Sequence, residues 1–204
     1  TRTIFGWKNE GWKPWVTFDG TPVMVPDAFN TEPEPDGKLL QWPDGDRSAA
    51  PSAVMPKGGW FHDTIIRQEP IDDARLNVED NLEEFTRIGD DDLEHLRRTA
   101  DYLWENTNYG IVGNFGGTAF GDIALVPAPF LKRPKGIRDV EEWYISTAAR
   151  KEYVRAIFER QCEIGLANLR TLIDLFGDVV QVAVITGTDF GTQRGLFCSL
   201  DAYR

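Results

Sequence analysis

The chain has 204 residues, with 22 Lys+Arg against 33 Asp+Glu, a formal charge of −11. That balance excludes a sequence-general nucleic-acid binder, which needs clustered cations, and it disfavours an anionic membrane surface as partner. Hydrophobic residues at 41% and only 2 cysteines fit a globular chain of a reducing, cytoplasmic compartment, and no apolar run reaches the roughly 20 residues of a membrane span.

Residues 1–75 hold most of the prolines and five of the seven tryptophans. Trp15–Phe18, the Asp19-Gly20 pair and Thr21–Val25 predict a hairpin, because Asp-Gly suits the positive φ of a tight turn. A second extended pair is expected from Lys38–Trp42, a Pro-Asp-Gly-Asp turn, and the stretches around Ala53–Met55 and Gly59–Phe61. This region reads as a Trp/Pro/Gly-rich β-meander, since its breakers leave no room for long helices.

From residue 76 the pattern changes to helix and strand in alternation. Asn77–Phe85 predicts a short helix. Leu93, Leu96, Ala100, Leu103 and Trp104 predict a second one from Asp90 to about Asn106, its acidic start matching the helix dipole. Tyr109–Phe115 reads as a strand running into Gly116-Gly117, and a helix is expected from Asp139. A long helix follows over Lys151–Phe176, with Val154, Ile157, Phe158, Cys162 or Gln161, Gly165, Leu166, Leu169, Leu172 and Ile173 on its apolar face. Gly177 is expected to end it in the left-handed conformation. Val179–Ile185 reads as a strand buried on both faces. Ser199–Arg204 looks like the opening turn of a further helix, which points to a piece of a longer protein.

Helix, strand, polar glycine-bearing loop and helix in succession define an α/β fold, either doubly wound or a (β/α)8 barrel, whose chemistry sits beyond the C-terminal ends of the strands. The informative loops are therefore 113–122 and 186–198. The second gathers Thr188, Asp189, Thr192, Gln193 and Arg194, donors and a carboxylate able to orient a polar substrate. A turn cap at Asp189 paired with Arg194 is an equally good structural account. The first loop carries Asn114 and the Gly116-Gly117 pair but lacks the spacing of a phosphate cradle and its lysine, so its glycines are better suited to close backbone approach. His62, His95, Cys162 and Cys198 lie far apart with no zinc spacing, and Cys162 reads as a helix core residue. The tryptophans could stack on a planar ligand, although packing of the meander explains them as well.

The segments Asp139–Tyr144, Val179–Ile185, Asp189–Gly195 and Ser199–Arg204, with Gly110–Gly117, resemble the uroporphyrinogen decarboxylase superfamily. The resemblance covers residues 76–204 and makes 1–75 an N-terminal β-meander insertion. It implies a partial (β/α)8 TIM barrel whose opening strand precedes Thr1, with Asp189, Thr188 and Gln193 in catalytic roles. Asn114, Arg194, Thr192, Gly116 and Gly117 would then line the substrate. The superfamily's two chemistries are porphyrinogen decarboxylation without a cofactor and corrinoid-dependent methyl transfer of the O-demethylase type. An ungapped match places Ala124 where the decarboxylases carry a tyrosine, and Thr188 where they carry a serine. Asp189 and Gln193 follow the methyltransferase-like pattern. The resemblance thus implies a small-molecule substrate, a cobalamin (corrinoid) protein as partner, and zinc held by ligands beyond Arg204. Uroporphyrinogen decarboxylation is the alternative, and a non-catalytic binding protein that docks a partner through the meander is the second.

Overall fold

The structure, a computed structural model, describes residues 2–4, 11–114, 126–184 and 191–203. The chain divides into two compact units. One comprises residues 1–8, 82–124 and 144–204; the other comprises 9–81 and 125–143. The expected division at residue 75 therefore differs from the grouping found. The opening residues belong with the later helices and strands, whereas 125–143 belongs with the meander.

The first unit is built on a three-stranded parallel sheet in the order β1 (Arg2–Ile4), β7 (Ile111–Asn114), β8 (Val182–Val184). Arg2 pairs with Ile111 and Val112 with Val182, so neighbours in space are also neighbours in the succession of parallel strands. Strand β1 at Arg2–Ile4, for which no expectation was stated, joins the sheet beside β7. Helix α1 (Asp90–Asn106) matches the predicted span, and α3 (Lys151–Phe176) does as well. Leu96, Ala100, Ile111, Leu172 and Phe176 form the core, ringed by Ile88, Leu93, Leu103, Val179 and Val180. Burying each of these larger side chains contributes about 1.5–3 kcal/mol, which holds α1 and α3 to the sheet more firmly than their intrinsic propensity does. Helix α2 (Val140–Ala149) precedes α3, and α4 (Leu200–Tyr203) is a single turn whose Ala202 N–H reaches Ser199 Oγ at 3.2 Å.

Three local expectations change. On α3 the residue at the buried position is Gln161, while Cys162 is exposed, because the inward face follows Val154, Ile157, Gln161, Gly165, Asn168 and Leu172 at three- and four-residue steps. Gly177 is right-handed (φ −55°) and not left-handed; its N–H continues the helix to Ile173 O at 2.8 Å, and a Cβ would crowd that oxygen. Strand β8 is exposed along its length, because β7 is its sole partner among the described residues.

The second unit contains the antiparallel hairpin β2 (Trp12–Val16) with β3 (Pro22–Pro26), and a three-stranded sheet of β4 (Leu39–Gln41), β5 (Ala53–Met55) and β6 (Asp63–Thr64). Gly20 has φ +90° in the β2–β3 turn, where Asp19 accepts from Thr17 Oγ1, Thr21 N–H and Thr21 Oγ1, contacts that hold its carboxyl below the ordinary range. In place of the short helix at Asn77–Phe85 there is one 3-10 turn, Val78–Asn81. Its last residue, Asn81, is buried and acts as a surrogate strand. Nδ2 donates to Ile137 O at 2.7 Å and Oδ1 accepts from Ile137 N–H at 2.8 Å. Arg67 donates through both Nη atoms to Ala128 O and Leu131 O, and the fully buried Arg138 donates to Lys135 O and Asp80 O. Gln68 accepts from the Arg138 and Asp139 N–H groups. Polar side chains thus satisfy the backbone of 128–139 where no ladder does.

Among the described residues there are four α-helices and small sheets in a mixed α/β arrangement, with no barrel. None of those helices is long and apolar enough to cross a membrane.

Candidate functional site

The C-terminal ends of β1, β7 and β8 lie side by side. Ile4 pairs with Gly113, and Asn114 pairs with Val184. This is the sheet end from which α/β proteins project their working loops. Asn114, the last residue of β7, is exposed there. The chain passes from the first unit into the second after β1 and again after β7.

Of the residues expected to form a site, Gly116, Gly117, Thr188 and Asp189 lie outside the described residues. Thr192, Gln193 and Arg194 are described and lie together. Strand β9 (Gly191–Thr192) pairs antiparallel with β10 (Gly195–Leu196), so Gln193 and Arg194 are the two turn residues of a minimal hairpin. Thr192 Oγ1 accepts from the Arg194 N–H at 3.1 Å and fixes the turn. Gly191 is required for close approach, since a Cβ would stand 2.6 Å from Gly195 O. The Gln193 and Arg194 side chains are exposed, a carboxamide and a guanidinium presented at the turn. The chain after β10 is anchored by Phe197, stacked on Tyr144 of α2 with centroids 4.7 Å apart and planes at 28°. Thus Thr192, Gln193 and Arg194 form one group, and Asn114 belongs to the end of the parallel sheet.

Several polar residues that position these elements carried no sequence signal. The Gln181 side chain accepts the Ile111 N–H at 2.7 Å, and the Gln181 backbone N–H donates to Ile111 O at 3.0 Å, locking β7 to the segment entering β8. Asn168 on α3 donates to Thr86 O at 2.9 Å and accepts from Ile88 N–H at 3.1 Å, fixing the approach to α1.

In the second unit His62 packs edge-on to Phe29, ring centroids 5.4 Å apart. Its Nε2 is buried without a hydrogen-bond partner. Burial lowers its pKa from the ordinary 6.5, opposed by the nearby Asp63 carboxylate, so the ring is neutral at pH 7. The described residues offer no group of three or more His, Cys, Asp and Glu able to hold a metal.

No protein-family model matches the chain, and no curated protein or solved structure matches it significantly.

Proposed function

We propose that the chain is part of a uroporphyrinogen decarboxylase-like (β/α)8 enzyme that moves a methyl group between a small molecule and a corrinoid protein. The observation that carries this reading is the sheet order β1-β7-β8, parallel and consecutive, with α1 before β7 and α3 before β8. Adjacent βα units of a barrel wall have this order. One half of a doubly wound sheet shares it, and the sequence resemblance favours the barrel. Methyl transfer is preferred over decarboxylation because Ala124 stands where the decarboxylases have a tyrosine.

In this reading Asp189, Gln193 and Arg194 orient the substrate and Thr188 donates a hydrogen bond to it. Asn114 lines the same mouth, and Thr192 holds the turn that presents Gln193 and Arg194. Gly116 and Gly117 let backbone approach the ligand. The corrinoid supplies the methyl-carrying centre on the partner protein; this chain's residues bind and orient.

The test is an assay of the full protein with a corrinoid acceptor and a panel of methylated small molecules. Substrate-dependent methylation of the corrinoid is expected, lost in Asp189→Ala and reduced about tenfold or more in Gln193→Ala. Coproporphyrinogen formed from uroporphyrinogen would overturn methyl transfer in favour of decarboxylation. Methyl transfer undiminished in both variants would overturn the site assignment.

A further inference from the structure

The β2–β3 hairpin of the second unit is apolar on its exposed face as well as on its inner one, which holds Trp15, Val23 and Val25. Its backbone bonds join Thr17 N–H to Thr21 O and Asp27 N–H to Gly11 O. The intervening pairs Trp12↔Pro26, Pro14↔Met24 and Val16↔Pro22 therefore share the other face. All six of these residues are apolar and all six are exposed, Trp12 at 58%, Val16 and Met24 each at 56%. An antiparallel sheet with one buried face ordinarily turns polar side chains to water. Beyond the turn, Phe18 and Trp60 meet edge to face with centroids 4.7 Å apart, both more than half exposed, and Phe61 is 82% exposed. A concentration of exposed apolar side chains of this kind is a feature of interaction surfaces.

Two observations choose the occupant. The edges are poor templates: Pro14 removes the central outward donor of β2, and Pro22 and Pro26 remove two of the three on β3. A partner is therefore better docked on the face. Charge then selects among partners. The second unit carries seventeen Asp and Glu against ten Lys and Arg, a formal −7. Asp19 and Asp27 stand at the two ends of the hairpin, and Asp63 follows Trp60-Phe61. The hairpin's single cation, Lys13, is held to Asp27 O at 2.8 Å. Two such units face to face repel, as does an anionic lipid surface, whereas a cationic segment is attracted.

We propose that this face docks a polypeptide segment whose apolar side chains are flanked by Lys and Arg. The inference is independent of the methyl-transfer reading. It is tested on the whole chain with two labelled helical peptides of equal length, one of leucine and lysine, the other of leucine and glutamate. Anisotropy is expected to report binding of the lysine peptide, weakening as salt rises and falling about tenfold or more in Trp12→Ser/Met24→Ser. An unchanged melting temperature in that variant shows the fold intact. The glutamate peptide should not bind. Equal binding of both peptides overturns the proposal, as does binding that ignores the double substitution. Dimerisation in sedimentation velocity that the same substitution abolishes makes a second copy the occupant. Co-sedimentation with zwitterionic vesicles, lost in the variant, makes the occupant a membrane; either result also overturns it.

Discussion

Replacing Asn81 with Leu removes two hydrogen bonds, of 2.7 and 2.8 Å, that its amide makes to both backbone groups of Ile137. Asn81 is 3% exposed and Ile137 is fully buried, so water cannot readily replace the lost partners. An unmet buried donor or acceptor costs about 1–3 kcal/mol, and two of them, with some relaxation, cost about 2–4 kcal/mol. Leu keeps the branched outline of Asn but is bulkier, so overpacking adds to the loss. The assay is urea unfolding followed by tryptophan fluorescence, to which the second unit contributes Trp12, Trp15, Trp42, Trp60 and Trp143. Asn81→Asp adds a check on the cause. It keeps an acceptor for the Ile137 N–H but sets a buried carboxylate against the Ile137 carbonyl oxygen, which raises its pKa in the folded state. The folded state then takes up the proton of residue 81 before the unfolded one, so the variant gains stability relative to the unsubstituted chain as pH falls toward 4, where a protonated oxygen can donate to that carbonyl. A loss below about 0.5 kcal/mol for Asn81→Leu, or a steady weakening of Asn81→Asp relative to the unsubstituted chain on acidification, would refute the clamp.

Three further outcomes follow from the same geometry. Asn168→Ala strands Thr86 O and Ile88 N–H and should cost about 2–4 kcal/mol, read as a lower midpoint in the far-UV transition of α1 and α3. Gly136→Ala should lose about 2 kcal/mol or more, because Gly136 has φ +81° and its Cβ would fall on Asn81 Oδ1. In a double-mutant cycle of Gly136→Ala with Asn81→Leu the two losses should be strongly non-additive, and simple additivity would deny the contact. His62, whose pKa is lowered by burial, is neutral in the folded state while the unfolded chain takes up its proton first. Melting temperature should therefore fall as pH drops below about 6.5. His62→Phe should flatten that slope between pH 6.5 and 5.5, before carboxylates titrate; an unchanged slope assigns it to other groups.

Local signals were legible and distant ones were not. Three- and four-residue spacing located α1 and α3 because both bury one stripe against a single core, and Asp19-Gly20 located the β2–β3 turn because few other pairs accept its backbone angles. Strand β1 escaped notice: three residues carry no period, and the partner that makes them a strand is Ile111–Gly113, more than a hundred residues away. The apolar run at Val182–Val184 announced a strand but not its number of neighbours, so burial was misjudged. For the candidate site, the sequence grouped Thr192, Gln193 and Arg194 in one polar loop but did not announce the β9–β10 pairing that makes Gln193 and Arg194 its turn. The amides of Asn81, Asn168 and Gln181 could not be foreseen, because their partners are backbone groups fifty-six to eighty-two residues away in sequence and backbone leaves no trace in composition.

Whole-chain charge concealed a division of the same kind. Of the formal −11, −7 belongs to the second unit and −4 to the first. The acidic excess is concentrated in the unit that also exposes Trp12, Met24 and Phe61. That pairing has a physical logic. Apolar surface attracts any other apolar surface, its own copies included, while net charge of one sign discourages self-association at little cost to a cationic partner. Neutralising Asp19 and Asp27 while keeping Trp12 and Met24 should therefore raise self-association and reduce selectivity for the lysine peptide together. If the two properties separate, the carboxylates serve solubility alone.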